Sequence, residues 1–218
     1  MLVGRQTRKA KLLVLVLVGM QCGCGDNRKS DEYGTSLTAG DTINITKYSV
    51  DRSEVLNPKK WQVFNVDNDV ICLPVSWRYK DSDNTFFSAF AEYSNSTLII
   101  KRYNVNDIPG SLDEVARTIY LKSFPDYNTV KSNGLNKNIY DDGTIYEAYL
   151  VKKKANSLYD QHLILFTSKQ YFYQIELSLN KNAYNINTTK NILYNLKIDQ
   201  QYVYQNTNKL KQVVILEK

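Results

Sequence analysis

The sequence predicts an α+β fold: a central antiparallel β-sheet with helices packed on it as a sandwich. Three observations carry that expectation. Between residues 61 and 179, apolar and polar residues alternate in runs bounded by turn residues, the period-two pattern of half-buried strands. Two stretches instead repeat apolar residues at the helical period behind capping residues. The connections are short, which makes successive strands antiparallel.

The first strands are residues 61–66 and 70–73, flanking Asp67, Asn68 and Asp69 as a tight hairpin would. Pro74 lacks an N–H for the ladder and ends the second strand just before Trp77. Lys80-Asp81-Ser82-Asp83-Asn84 is a polar turn. Its Asp-x-Asp start is not a calcium loop, because phenylalanine stands where the loop needs glycine and no glutamate closes it. Residues 86–93 and 97–103 then form a second pair around Ser94-Asn95-Ser96.

Ser111-Leu112-Asp113-Glu114 is a capping box, and Leu112, Val115, Ala116, Ile119 and Tyr120 recur at the helical period, so a helix is expected over 112–124. Strands follow at 129–140, 144–152, 162–167 and 171–179, separated by Asp141-Asp142-Gly143, Ala155-Asn156-Ser157 and Ser168-Lys169-Gln170. Residues 162–167 are apolar on both faces, which places that strand centrally. The last strand has a mostly polar alternate face, which predicts a sheet surface only partly covered. Asn187-Thr188-Thr189 opens a second helix, with Ile192, Leu193 and Leu196 on one side. Beyond it, the apolar run 213–216 reads as an edge strand or a docking tail.

The N-terminus is of another kind. Arg5, Arg8, Lys9 and Lys11 precede an apolar run of nine residues, 12–20. That is about half of the ~20 residues a membrane-spanning helix needs, and it reads as a secretory signal. Cys22 and Cys24 follow directly, and the stretch resembles the lipobox of bacterial lipoproteins, in which the mature N-terminal cysteine carries a diacylglyceryl group. Gly23 supplies a small residue before Cys24, whereas Gln21 precedes Cys22, so Cys24 is the expected lipid anchor and Cys22 the alternative. The expected organisation is a lipoprotein-type signal peptide at 1–23, a flexible tether at 24–41, an α+β domain at 42–198 and a C-terminal extension at 199–218. The expected location is the bacterial cell envelope, lipid-anchored to a membrane.

Removing residues 1–21, which carry four cations and no acid, takes the net charge from +6 to +2. The basic balance is thus mainly a targeting feature, and no nucleic-acid partner is expected. With Cys24 as the anchor, Cys72 is left alone and reads as a small buried hydrophobe.

Val70-Ile71-Cys72-Leu73-Pro74 with Trp77, the Ser111–Ala116 helix start, Thr144–Tyr149 after Gly143, Tyr173-Gln174-Ile175 and Asn195-Leu196-Lys197-Ile198 together resemble the PsbP/Mog1 superfamily, including its DcrB-type envelope lipoproteins. The resemblance spans about residues 60–198 and rests on folding signatures. It implies a PsbP/Mog1-like sandwich and a non-enzymatic binding or assembly module, and it transfers no binding residue.

Chemistry is sparse. His162 is the sole histidine, and a hydrolase built on it lacks a Gly-x-Ser-x-Gly elbow. Asp141-Asp142 before Gly143 is ordinary turn chemistry, and Lys152-Lys153-Lys154 is a solvated strand end. No catalytic residue, metal ligand or cofactor is expected. The 17 tyrosines stand out, because tyrosine supplies rigid amphipathic contact area. Tyr140, Tyr146, Tyr149, Tyr171 and Tyr173 are the expected binding face, for a protein or another envelope macromolecule. An immunity lipoprotein that neutralises a toxin is the alternative.

Overall fold

A computed structural model of the chain describes residues 42–44, 57–83, 85–124, 129–204 and 210–217. The expected signal peptide, the expected tether, and Cys22 and Cys24 lie outside the described residues. The strands are β1 (Thr42–Asn44), β2 (Trp61–Val66), β3 (Asp69–Pro74), β4 (Trp77–Tyr79), β5 (Phe87–Ala91), β6 (Ser96–Asn104), β7 (Thr129–Tyr140), β8 (Gly143–Lys154), β9 (Ser157–Ser168), β10 (Tyr171–Asn180), β11 (Lys197–Ile198), β12 (Gln201–Tyr202) and β13 (Leu210–Glu217). Two α-helices join them, α1 (Leu112–Ser123) and α2 (Ile186–Tyr194).

The expectation of one sheet with helices packed on it is overturned. The strands form two antiparallel sheets, one of nine strands in the order β1-β13-β7-β8-β9-β10-β6-β5-β4 and one of four in the order β12-β11-β3-β2. The molecule is mostly β, not α+β. The physical reason lies in what covers each face of the large sheet. On one face Ala116 and Tyr120 of α1, with Phe124 at its C-terminal cap, bury against Leu163, Leu165 and Phe172. On the other, Ile71 and Leu73 of β3 and Ile198 of β11 bury against Ile164, Phe166, Tyr173 and Ile175, with Ile192 and Leu193 of α2 alongside. Half of the cover that helices were expected to give is therefore supplied by a second sheet.

That arrangement also changes the reading of β10. Its polar face is covered in part: Phe172 and Gln174 are buried, and Glu176 and Ser178 are half-buried. Gln174 accepts a hydrogen bond from the Tyr103 hydroxyl at 3.2 Å, and Glu176 accepts one from Ser123 of α1 at 2.9 Å. Such pairing is what allows polar side chains to be enclosed without the cost of an unmet hydrogen bond.

Several local expectations hold, although α2 is capped by Asn185, ahead of the expected Asn187-Thr188-Thr189 start, and ends before Leu196. Both halves of the capping box form at Ser111 and Glu114. β9 is the fifth of the nine strands, as its two apolar faces require. Gly134 (φ +69°) sits where the β7–β8 register slips between Ser132 and Leu135, a bulge whose left-handed residue is glycine. β13 pairs with both β7 and β1, so the apolar run near the C-terminus is a flanked strand.

Candidate functional site

The five tyrosines singled out from the sequence do not share a surface. Tyr146 points into the α1 layer and is 3% exposed. Its hydroxyl donates to Asp113 Oδ1 at 2.6 Å, and the Lys137 ammonium donates to both oxygens of the same carboxylate, at 2.8 and 3.0 Å. Burial and then Asp113 push the phenol of Tyr146 up. Burial opposes ionisation of Asp113, but the hydrogen bonds from Lys137 and Tyr146 and the Lys137 charge outweigh it and hold that carboxyl below its ordinary range.

Tyr173 faces the other way, between the two sheets, and is 1% exposed. It stacks on Phe166 at 5.3 Å, and burial, with Asp69 and Asp199 adding to it, pushes its hydroxyl up to about 12. Tyr171 lies beside it, 6.3 Å between ring centroids, and carries the Arg102 guanidinium at 4.7 Å. Tyr140 packs at the margin of the same core. Tyr149 donates its hydroxyl to Asp160 Oδ1 at 2.8 Å, and burial and the Asp160 charge raise its phenol. Tyr146 and Tyr173 are thus enclosed on opposite faces of the large sheet, whereas Tyr140, Tyr149 and Tyr171 are half-buried.

His162 packs against Tyr149 with ring centroids 4.9 Å apart. Its Nε2 is buried without a hydrogen-bond partner. Burial holds the imidazole down to about 4, against a smaller opposing pull from Asp160, so it is neutral near pH 7. Asp160 is engaged by Tyr149 and by Lys181 at 3.1 Å. Among the described residues His162 forms no hydrogen bond to a serine or threonine hydroxyl. Cys72 is buried and free, and burial raises its thiol. No three His, Cys, Asp or Glu side chains among the described residues are grouped to hold a metal.

Two clefts open at the sheet ends. The first, about 100 Å³, lies along the seam of the two sheets and is lined by Tyr140, Gly143, Phe166, Ser168, Ile198 and Tyr202. Its neighbour is a knot of turns. Asp199 accepts from Ser168 at 2.8 Å and pairs with Lys169 at 3.1 Å, while its N–H donates to Asp69 Oδ1 at 2.7 Å. Asp69 is 3% exposed, its Oδ2 is unpaired, and burial raises its carboxyl despite the Asp199 N–H. These contacts tie the small sheet to the β9–β10 turn and read as structural.

The second cleft, about 260 Å³, is built from three turns and is lined by Ser76, Glu92, Tyr93, Ser94 and Tyr184 among others. Tyr93 is 96% exposed, the most exposed large hydrophobic side chain among the described residues. The turn beneath it is held from below. The Asn180 amide donates to the Ser94 carbonyl at 3.2 Å, and the Tyr159 hydroxyl donates to that carbonyl at 3.4 Å. The Asn180 backbone N–H donates to Ser96 Oγ at 2.9 Å. Asn180 also shapes the opposite wall: its backbone carbonyl accepts from the N–H groups of Ala183 and Tyr184, and its Oδ1 accepts from Asn182. Tyr184 is fixed in turn, its hydroxyl accepting from Trp77 Nε1 at 3.1 Å. One buried asparagine thus sets two tyrosine-bearing turns against each other.

Neither a family model nor a curated protein matches the chain. Among solved structures it is similar in part to a crystal structure from Bacteroides thetaiotaomicron VPI-5482, with a TM-score of 0.38 and 13% identity, over 65% of this chain and 48% of that one. The chain spans about half the length of that protein, and a likeness this slight carries no argument.

Sequence reasoning passed over Tyr93, Asn180 and Tyr184. A signal was there: residues 93–96 and 180–185 are two turns made almost wholly of Tyr, Asn, Ser, Lys and Ala, close to the composition of binding loops on other β-sandwiches.

Proposed function

We propose that this chain is a lipid-anchored envelope protein whose β-domain is a non-enzymatic binding module for another macromolecule. The basic cluster, apolar run and cysteines of residues 5–24 support the address, with Cys24 as the anchor. One observation carries the binding half: a 96% exposed tyrosine on a turn that buried side chains hold rigid. Leaving a large aromatic in water gains nothing for folding, whereas a tyrosine on a held turn has only its own two side-chain torsions to order when a partner covers it.

Labelling cells with a radioactive or clickable fatty acid tests the address. The full-length chain takes up label, and Cys24→Ser loses it. Loss in Cys22→Ser alone moves the anchor by two residues, and an unlabelled wild-type chain refutes the anchor altogether.

A further inference from the structure

We propose that the cleft between Tyr93 and Tyr184 binds an organic cation, the guanidinium or ammonium of a basic segment on a protein partner. The inference deepens the binding-module reading and rests on it.

Charge is the first argument. Glu92 lines the cleft, is exposed, and forms no hydrogen bond or ion pair among the described residues. The cations two residues from the lining positions Ser76 and Ala183 already have contacts of their own. Arg78 Nη1 donates to the carbonyls of Val75 and Trp77 at 3.0 and 3.2 Å, and Lys181 pairs with Asp160. No cation lines the cleft, so its one fixed charge is negative and its complement is a positive group.

The rings are the second argument. Tyr93 and Tyr184 reach the cleft from different turns, and the face of a tyrosine ring attracts a cation through its quadrupole. This fold already uses that contact: Arg102 lies 4.2 Å from the Phe86 ring centroid and 4.7 Å from that of Tyr171. An anionic ligand would meet the Glu92 carboxylate with no cation to offset it. A neutral sugar could stack on the tyrosines, but it would leave the carboxylate without a counter-charge.

Pre-organisation is the third. Asn180 holds both turns, and Trp77 fixes the Tyr184 hydroxyl, so the backbone of both turns and Tyr184 stand in place before a ligand arrives, leaving the Tyr93 ring to be ordered. A cleft of about 260 Å³ admits a guanidinium with part of its methylene stem.

The test titrates the purified full-length chain, in detergent micelles, with a fluorescent peptide of alternating arginine and glycine. The same peptide with citrulline for arginine keeps the shape and removes the charge. The arginine peptide binds saturably, and the citrulline peptide about tenfold or more weaker. Tyr93→Ala and Glu92→Gln each weaken arginine-peptide binding about three- to tenfold, because each removes one contact to the cation. Both side chains are exposed, so neither change threatens the fold, and the distant Asp107→Asn leaves binding unchanged. Equal binding of the two peptides, no saturable binding, or indifference to both cleft substitutions overturns the assignment. Saturable binding of a neutral oligosaccharide that Tyr93→Ala abolishes, with no arginine-peptide binding, replaces the cation by a glycan. If the peptide fails while an envelope protein is captured equally by the wild-type chain and by Tyr93→Ala, the cleft assignment falls and the module reading stands. If capture fails too, both fall.

Discussion

Asn180→Asp is the sharpest probe of how the exposed turns are held. The substitution keeps the shape of the side chain and the oxygen that accepts from the Asn182 N–H at 2.9 Å. It removes the donor to the Ser94 carbonyl at 3.2 Å and sets a carboxylate oxygen against that carbonyl. Asn180 is 9% exposed and Ser94 is 6% exposed, so water replaces little of what is lost. A lost hydrogen bond costs about 1 kcal/mol; the Ser94 carbonyl keeps the Tyr159 hydroxyl, but the buried carboxylate oxygen set against it adds about 1–3 kcal/mol more. The expected loss near pH 7 is therefore about 2–4 kcal/mol, within the ~5–15 kcal/mol a domain commonly has. The pH dependence is the telling part. Burial and the facing carbonyl raise the new carboxyl's folded pKa above its unfolded value. The deficit is then fully present above the folded pKa and relieved as pH falls toward the unfolded one, where the protonated acid donates to Ser94 again. Urea unfolding followed by tryptophan fluorescence, at pH 7 and pH 4.5, reads both effects, since Trp77 bonds to Tyr184 in the opposite turn. A loss under about 0.5 kcal/mol at pH 7, or one that does not shrink in acid relative to wild type, would refute the reasoning.

Two further substitutions test the layers around the large sheet. Tyr146→Phe removes the hydroxyl that ties Asp113 of α1 to β8; because Lys137 stays on that carboxylate and Asp113 is partly solvated, unfolding experiments should find a loss of about 1–2 kcal/mol. Asp113 has a depressed folded pKa, so its contribution is present above its unfolded pKa and fades as pH falls through the folded one. His162 gives the contrasting case, an imidazole held down from 6.5 to about 4 by burial. Its neutral form is the one the fold accepts, so wild-type stability is full above pH 6.5 and declines toward pH 4 as the unfolded chain takes up the proton. His162→Gln should flatten that decline by about 1–3 kcal/mol in parallel titrations of the two chains, while Asp69 and Glu147, whose carboxyls burial raises, act equally in both. A decline unchanged by the substitution places the acid lability elsewhere.

Much of the fold was legible where period and punctuation act over a dozen residues. β7, β8 and β10 alternate long enough, and their turns are marked clearly enough, for their spans to be read within two residues, whereas β9 begins at Ser157, five residues before the expected start. The first helix announces itself through a capping box that physically forms. The second sheet was not legible, and the reason is its length scale. β11 and β12 have two residues each, too few for any period, and Lys197 meets Val70 across most of the chain. The sequence 195–198 reads as a helix tail because Leu196 is apolar, and Leu196 is indeed 1% exposed. It is buried, however, in the lead into a strand, after α2 has ended at Tyr194. Hydrophobicity reported the burial correctly and left the backbone undetermined.

The same distinction governs the site. Mid-strand tyrosines looked available because strand alternation assigns one of two faces to solvent, and that inference requires an uncovered face. Here α1 covers one face and the small sheet with α2 covers the other, so Tyr146 and Tyr173 are enclosed on opposite sides of one sheet. The most exposed tyrosine among the described residues, Tyr93, sits instead on a turn at a sheet end. A turn tip ordinarily holds its side chains loosely, but a buried polar hub changes that: Asn180 spends its amide, its carbonyl and its N–H on two turns at once. Its sequence neighbours Leu179 and Lys181 give no hint of this, because the partners Ser94 and Ser96 are supplied by a different hairpin. A binding surface of this kind is assembled by topology, and its clearest local mark is an asparagine that closes a long strand while remaining buried.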